Sequence, residues 1–357
     1  MVQNIALPVL ALAGAAIAAC PLSVEITGAK NHVAQVAVTN TGAETLTVFK
    51  GNTVFSSHAT KDLLVTADGV ALPFEGVVVN YRRTGLTADM FQVIAPGETI
   101  TASVNAAKSY KLGGVSKAKI TAIQGFKYVT GSVAPTISAN MSFCESAASS
   151  TVAITPDQSI AAAEHISKRN PELEETSNSR IKKRAVTYNS CTSAQTTSLT
   201  TSVAHAIAMS KAAYTAAATG AYYFTTWFKS TAQESAVRVI YNDVVNVQTT
   251  SPKIYCTDVY SDCTDGSALL YTVPSANVIV PCPNNGYWSF PEYASTCADD
   301  DYDRAGCIIH EMTHLYGTTD WAYGPTAAKA LTAAKAAQNA DTYEMYAGSV
   351  RLGGCSS

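Results

Sequence analysis

Charge is scarce in this chain. Asp, Glu, Lys and Arg together make up 14% of its 357 residues and leave a formal net charge of −3. That balance argues against a nucleic-acid binder, which normally shows a concentrated basic face. Long apolar runs are missing too. Although 47% of the residues are hydrophobic, no stretch reaches the roughly 20 residues that a bilayer-crossing helix needs. Histidine is rarer still, with six in the whole chain. Two of them, His310 and His314, nevertheless stand four positions apart.

Cysteine, by contrast, is plentiful, with nine residues. Cys20 and Cys144 lie in the first half, and the other seven follow from Cys191 on. The N-terminal MVQNIALPVLALAGAAIAAC has the short apolar core and small-residue ending of a secretory signal peptide over residues 1–19, cleaved near Ala18 or Ala19. No Lys or Arg precedes that core. Residues 17–20 also resemble a bacterial lipoprotein box. In a secreted chain nine cysteines point to disulfides, and the sequon Asn140-Met141-Ser142 is consistent with secretion.

The length allows two domains of roughly 150–200 residues each. Residues 20–144 read as strands. LSVEIT, HVAQVAVTN and TLTVF alternate apolar and polar residues, and VVVNYRR, FQVIAPGETITASVNAA and KITAIQGFKYV continue the pattern, as in a β-sandwich. His32 and His58 stand alone there. Residues 145–184 turn small, polar and then charged, and read as an exposed linker. It ends in Lys182-Lys183-Arg184, a basic step of the kind kexin-type processing proteases cut. A cut after Arg184 belongs to a eukaryotic secretory pathway, which argues against the lipoprotein reading. Lys168-Arg169 is a second such pair. From Ala185 on the apolar spacing becomes helical, in SLTTSVAHAIAMSKAAYTAAAT, AQESAVRVIYNDVVNVQ, RAGCIIHEMTHLY, TAAKALTAAKAAQ and ADTYEMYAGSV, with short strands KIYCTD, SALLYTV and NVIVPC. This half carries 8 Lys and Arg against 14 Asp and Glu, a net −6. The expected fold is α+β: a β-sandwich-like first part, then a mainly α-helical part with a small β element.

Chemistry concentrates in CIIHEMTHLYGTTDWAYG, residues 307–324. Helix residues four apart lie about 40° apart around the axis and about 6 Å apart along it, so His310 and His314 present two imidazoles on one face. Zinc accepts N and O ligands tetrahedrally and, in a catalytic site, keeps one position for water, whose pKa it lowers to roughly 7. Glu311, on the flank of that face, can finish the deprotonation without ligating. Gly317 lets the chain turn and return Asp320 as a third ligand. Tyr323 can then donate to the oxyanion. Upstream, Asp301 or Asp303 of ADDDYDR can cap the helix.

HEMTH followed by GTTDWAYG resembles the deuterolysin family of fungal zinc endopeptidases, the aspzincins. Gly317, Thr318, Asp320, Tyr323 and Gly324 match every fixed position of their second motif, G-T-x-D-x-x-Y-G. The resemblance implies a zincin-type catalytic domain over residues 185–357, one Zn(2+) per chain on His310, His314 and Asp320, Glu311 as general base and Tyr323 as the transition-state tyrosine. Asn339-Ala340-Asp341-Thr342-Tyr343 is similar to a late family segment, which makes Asp341 a partner that orients a ligating histidine. Glu344, one turn on, is expected to contact substrate and, with the acidic charge, to favour basic protein substrates. Three disulfides are implied, which by order would be Cys191–Cys256, Cys263–Cys282 and Cys297–Cys355, leaving Cys307 free. The run Leu315-Tyr316 before Gly317 is shorter than usual in the family, so the turn is tight.

Rival readings remain open. HExxHxxGxxD is similar to metzincins with the same ligands and Met345 as the methionine turn. A gluzincin-like set would use Glu344 as the third ligand. A non-catalytic secreted protein with a structural zinc is the reading from another class. The preferred expectation is a secreted, extracellular, monomeric endopeptidase made as a latent precursor, with no nucleic-acid partner and no membrane in its mature form. Residues 20–184 would be a propeptide acting as intramolecular inhibitor or chaperone, removed by a kexin-type protease. Cys20 and Cys144 pair with each other, are inert, or one of them ligates zinc in the precursor. Protein or peptide substrates would lie extended along a strand edge beside the helix.

Overall fold

The computed structural model describes residues 20–170, 185–221, 223–296, 298 and 301–355. The expected signal peptide, the Lys183-Arg184 step and Cys297 lie outside the described residues. Alternation builds the first half. In β1 (Leu22–Lys30) Leu22, Val24 and Ile26 are buried and the residues between them exposed, as a half-buried strand requires. β1 pairs antiparallel with β2 (Val33–Asn40) through a turn in which Asn31 has φ +55°, a conformation asparagine tolerates. There follow β3 (Leu46–Phe49), β4 (Leu63–Ala67), β5 (Val70–Ala71), β6 (Val78–Tyr81), β7 (Phe91–Ile94), β8 (Thr99–Asn105), β9 (Ala118–Ala122), β10 (Gly125–Thr130), β11 (Ser142–Glu145) and β12 (Val152–Ile154). All but β6 form three sheets, ordered β1-β2-β8, β11-β10-β3-β7 and β12-β9-β4-β5. Their core includes Val36, Val48, Leu63, Ile120 and Phe126. Cys20 is bonded to Cys144.

The segment expected as an exposed linker over 145–184 carries structure in its first part. β12 and α1 (Gln158–Glu164) bury Ile154 and Ala161 in the same core, and Asp157 caps the helix by accepting from the Ile160 amide. These two apolar anchors, with the buried Ile166 farther on, are too few and too scattered to show as a periodic face in the sequence. Arg169, in the second basic pair, lies 3.1 Å from Asp262 of the other half.

The second half contains β13 (Thr187–Asn189), α2 (Ser193–Ala217), α3 (Phe224–Phe228), α4 (Glu234–Val245), β14 (Lys253–Tyr255), β15 (Ala268–Val273), β16 (Val278–Pro281), α5 (Arg304–His314), α6 (Gly324–Ala330), α7 (Ala333–Ala336) and α8 (Ala340–Arg351). α2 opens with a capping box in which the Thr192 hydroxyl accepts from the Gln195 amide and the Gln195 side chain accepts from the Thr192 amide. α5 is buried all round, from Ala305 to His314, because α2, α4, α8 and the sheet enclose it. Phe228, Tyr241, Tyr343 and Tyr346 interlock edge to face beside it, at centroid distances of 5.1–5.5 Å for the Phe228–Tyr343, Phe228–Tyr346 and Tyr241–Tyr343 pairs. The run TAAKALTAAKAAQ, read as one helix, breaks at Leu331. That residue is extended, and the Thr332 side chain caps α7 instead, the competition with helix continuation that threonine offers.

The sheet of this half is ordered β13-β14-β16-β15-β6. Its last strand, β6, comes from the first half and pairs antiparallel with β15 of the second. VVVNY has no alternation, and Val77, Val78, Val79, Asn80 and Tyr81 are all buried, as suits a strand covered on both faces. Cys191–Cys256 and Cys263–Cys282 are disulfides. Cys355 is also disulfide-bonded, and Cys307 is a free buried thiol whose pKa burial raises well above normal. Among the described residues no helix is long and apolar enough to cross a membrane.

Candidate metal centre

Asp303 starts α5 by accepting from the Gly306 amide and, with its other oxygen, from the Ala294 amide at 2.8 Å. Asp301 instead accepts from Ser295 and Thr296. At the other end of the helix, His310 and His314 lie one turn apart with ring centroids 4.8 Å apart and planes nearly perpendicular. The helix stops at His314. Amides of Leu315, Tyr316 and Gly317 then bond the carbonyls three residues back, which tightens the last turn. Gly317 has φ +94° with open space around its missing Cβ. Gly317→Ala is therefore expected to cost about 1–2 kcal/mol through conformation alone, measurable as a lower unfolding midpoint.

Past the turn the chain is clamped. The Thr318 hydroxyl donates to the Thr313 hydroxyl at 2.8 Å, and the His314 Nδ1 faces the Thr318 carbonyl at 3.2 Å. The Asn339 side-chain oxygen accepts from the amides of Trp321 and Ala322 at 2.8 and 2.9 Å. The clamp brings Asp320 back to the helix, with Oδ1 3.3 Å from His310 Nε2 and Oδ2 3.4 Å from His314 Nε2. All four atoms are buried and none has a hydrogen-bond partner. Buried polar atoms are rarely left so. The three residues' donor atoms lie within 4.8 Å of one another, and two imidazoles with a carboxylate are a set that suits zinc. The residues present fit a divalent metal.

The surroundings are polar in a specific order. His310 Nδ1 lies 2.8 Å from Asp341 Oδ1 and 3.5 Å from Glu344 Oε2, and Asp341 also accepts from the Gly324 amide. Glu344 thus sits on the far side of the His310 ring from Asp320, and its Oε1 is 2.8 Å from Arg83 Nη2. Glu311 is fully buried. Its Oε2 accepts from Thr272 at 2.7 Å, and its Oε1 has no partner. Tyr323 stacks on His310 at 6.4 Å between centroids.

Charge follows from this packing. Burial alone would lower His310, but the Asp320 charge and the carboxylates of Asp320, Asp341 and Glu344 raise it well above normal. Burial would raise Asp320, but His314 and His310 overcome it and hold the group low. Burial pushes Glu311 up to about 7. Burial and the nearby Asp320 charge raise Tyr323 well above its usual value, so its hydroxyl remains a donor. Burial opposes ionisation of Asp341 too, yet the hydrogen bond from His310 and the charge of Arg83 bring it below the ordinary carboxylate range.

Sequence reasoning missed several neighbours. Thr272 was visible only as the one polar residue inside the apolar strand ALLYTV. Asn339 lies in the segment similar to a late family segment, but its clamp on Trp321 and Ala322 depends on a contact across 17–18 positions that no spacing rule gives. Asn52, whose side chain donates to the Asp320 carbonyl, and Arg83 gave no signal, because both come from the first half.

A family model described as "Lysine-specific metallo-endopeptidase", an aspzincin model, matches residues 213–348. A neutral protease 2 homolog of Sclerotinia sclerotiorum is 34% identical over 344 residues, covering 93% of this chain and 90% of that protein. One of Botryotinia fuckeliana is 32% identical, covering 93% and 92%, and one of Colletotrichum graminicola is 30% identical, also covering 93% and 92%. These similarities, with the fold and the donor set, place the protein among the zinc-dependent metalloendopeptidases. Within that class the chain belongs to the deuterolysin family, the aspzincins.

Proposed function

We propose that the protein is a secreted endopeptidase made as a latent precursor, in which residues 185–357 hydrolyse peptide bonds and residues 20–184 are a propeptide. His310, His314 and Asp320 would hold one zinc ion. The observation that carries this reading is the convergence of four buried, unpartnered donor atoms beside a carboxylate, Glu311, that faces none of them in an ion pair. A structural zinc site would spend a fourth side chain on closing its coordination, and the described donor set stops at three.

Zinc, when bound, supplies a Lewis acid that polarises the peptide carbonyl and makes water more acidic. The chain's own residues do the rest. Glu311, fixed by Thr272, takes a proton from the attacking water and passes it to the leaving amine, and a basicity set near neutrality suits both transfers. The Tyr323 hydroxyl donates to the oxygen on which negative charge develops. Asp341 holds the His310 ring through Nδ1, leaving Nε2 free to ligate. Glu344 favours substrates with a basic side chain near the scissile bond.

Secretion is supported by the leader-like N-terminus and the disulfides, and latency by the contacts of the first half with the metal-site loop. The test is mass spectrometry of the secreted protein and of its products from a mixed peptide library. An N-terminus at Ala185, one zinc per chain, loss of hydrolysis on chelation with recovery on zinc, and cuts beside Lys or Arg are expected. A secreted chain that still begins at Cys20 and cuts at full rate would remove the propeptide reading.

A further inference from the structure

β6 is an expected strand in an unexpected place, at the edge of the second half's sheet. It runs antiparallel to β15, with Val78 opposite Thr272, Val79 opposite Tyr271 and Tyr81 opposite Ala268. Beyond it the Arg82 amide donates to the Ser267 carbonyl at 2.9 Å, so the pairing continues one residue past the strand, up to Arg83. β15 is the strand whose Thr272 holds Glu311, and without β6 it would be the sheet's open edge. An open edge with unpaired amides and carbonyls is what extended peptides add to.

Tyr81 at the end of this strand and Arg83 just past it reach the neighbours of the metal site. Tyr81 meets Tyr323 edge to face at 5.4 Å. Arg83 is only 3% exposed. Its guanidinium lies 4.1 Å over the Tyr302 ring, 2.8 Å from Glu344 Oε1 and 4.0 Å from Met345 Sδ. A buried cation is stable only with a partner, and this one finds its partner beside the back of His310. The Arg83 carbonyl meanwhile accepts from the Ser138 amide at 2.7 Å. It is tied into the first half and is not offered to the catalytic groups.

We propose that the segment 78–83 occupies the peptide-binding path of the enzyme as an added edge strand, with Arg83 filling the acidic pocket at Glu344, and that this occupancy keeps the uncut chain silent. This rests on the reading of residues 185–357 as the peptidase. Latency then comes from a tethered, substrate-like strand that is bound but not cut. No thiol is required for it, since Cys20 and Cys144 are bonded to each other.

The experiment uses the full chain with Lys183→Ala and Arg184→Ala to block processing, loaded with zinc and given a fluorogenic casein. Arg83→Glu, which sets a carboxylate against Glu344, is expected to raise hydrolysis by the uncut chain at least tenfold. Arg169→Glu breaks a different contact between the halves, at Asp262, and is expected to leave it silent. A synthetic peptide of residues 77–84 should compete with casein on the processed wild-type protein, and the same peptide carrying Arg83→Glu should compete at least tenfold less well. This second arm decides the matter if the Arg83→Glu chain does not fold. A folded Arg83→Glu chain as silent as the parent, equal release by Arg169→Glu, or equal competition by both peptides overturns the proposal. A processed wild-type protein that is inactive with zinc bound overturns the peptidase reading instead.

Discussion

Glu311→Gln is expected to leave a folded chain with one zinc bound and to lower peptide hydrolysis by about 10²–10⁴-fold, the usual contribution of a general base. The substitution is conservative in every respect but one. Glutamine fills the same fully buried space and keeps an oxygen to accept from Thr272, which lies 2.7 Å from the present carboxylate. Glu311 is not one of the clustered donors at His310, His314 and Asp320, so metal retention should not change. What disappears is a group whose basicity burial has set at about 7. The measurements are kcat/KM on a peptide and zinc content by mass spectrometry on the same sample. Retained zinc with undiminished hydrolysis would place the base elsewhere, whereas lost zinc would mean that Glu311 supports the ligands in a way its contacts do not suggest.

The cluster of His310, His314 and Asp320 was legible in the sequence because its three residues are local to one another. His310 and Asp320 lie ten positions apart. Helical geometry sets the first pair, and one glycine with positive φ sets the return. Local rules decide such a segment almost alone. Asp341 was legible only through the resemblance, since it approaches His310 from a helix whose placement no spacing rule gives. β6 shows where local reading stops. Val77–Tyr81 announces a strand, but nothing within it names the partner, and β15 lies nearly 190 residues downstream. Arg83 is hidden for the same reason. An arginine ending a strand is ordinary until the pocket that receives it is known. The expected linker failed differently. Ile154, Ala161 and Ile166 are buried from a segment whose composition is otherwise that of a solvated tether, and composition averages over the few residues that matter.

The other large effect concerns the third ligand. Asp320→Ala is expected to weaken zinc binding by more than about 100-fold, and Asp341→Asn by about 10–100-fold, the range for a partner that acts through a ligand. The difference follows from position. Among the described residues Asp320 alone bridges both imidazoles, at 3.3 and 3.4 Å, and supplies the negative charge that a divalent ion buried there requires. Asp341 touches only the back of His310. Stability provides a readout independent of activity. A metal that binds only the folded chain stabilises it by about 2.7 kcal/mol at a free concentration of 100 times its Kd. Zinc should therefore raise the unfolding midpoint of the wild-type and Asp341→Asn proteins and leave that of Asp320→Ala almost unmoved at the same concentration. A wild-type-sized zinc shift in Asp320→Ala would mean that the ion is held by other side chains, and the proposed centre would have to be redrawn around them. The second donor cluster, His310 with Asp341 and Glu344, would then be the first place to look, since it shares His310 but uses the opposite edge of the ring.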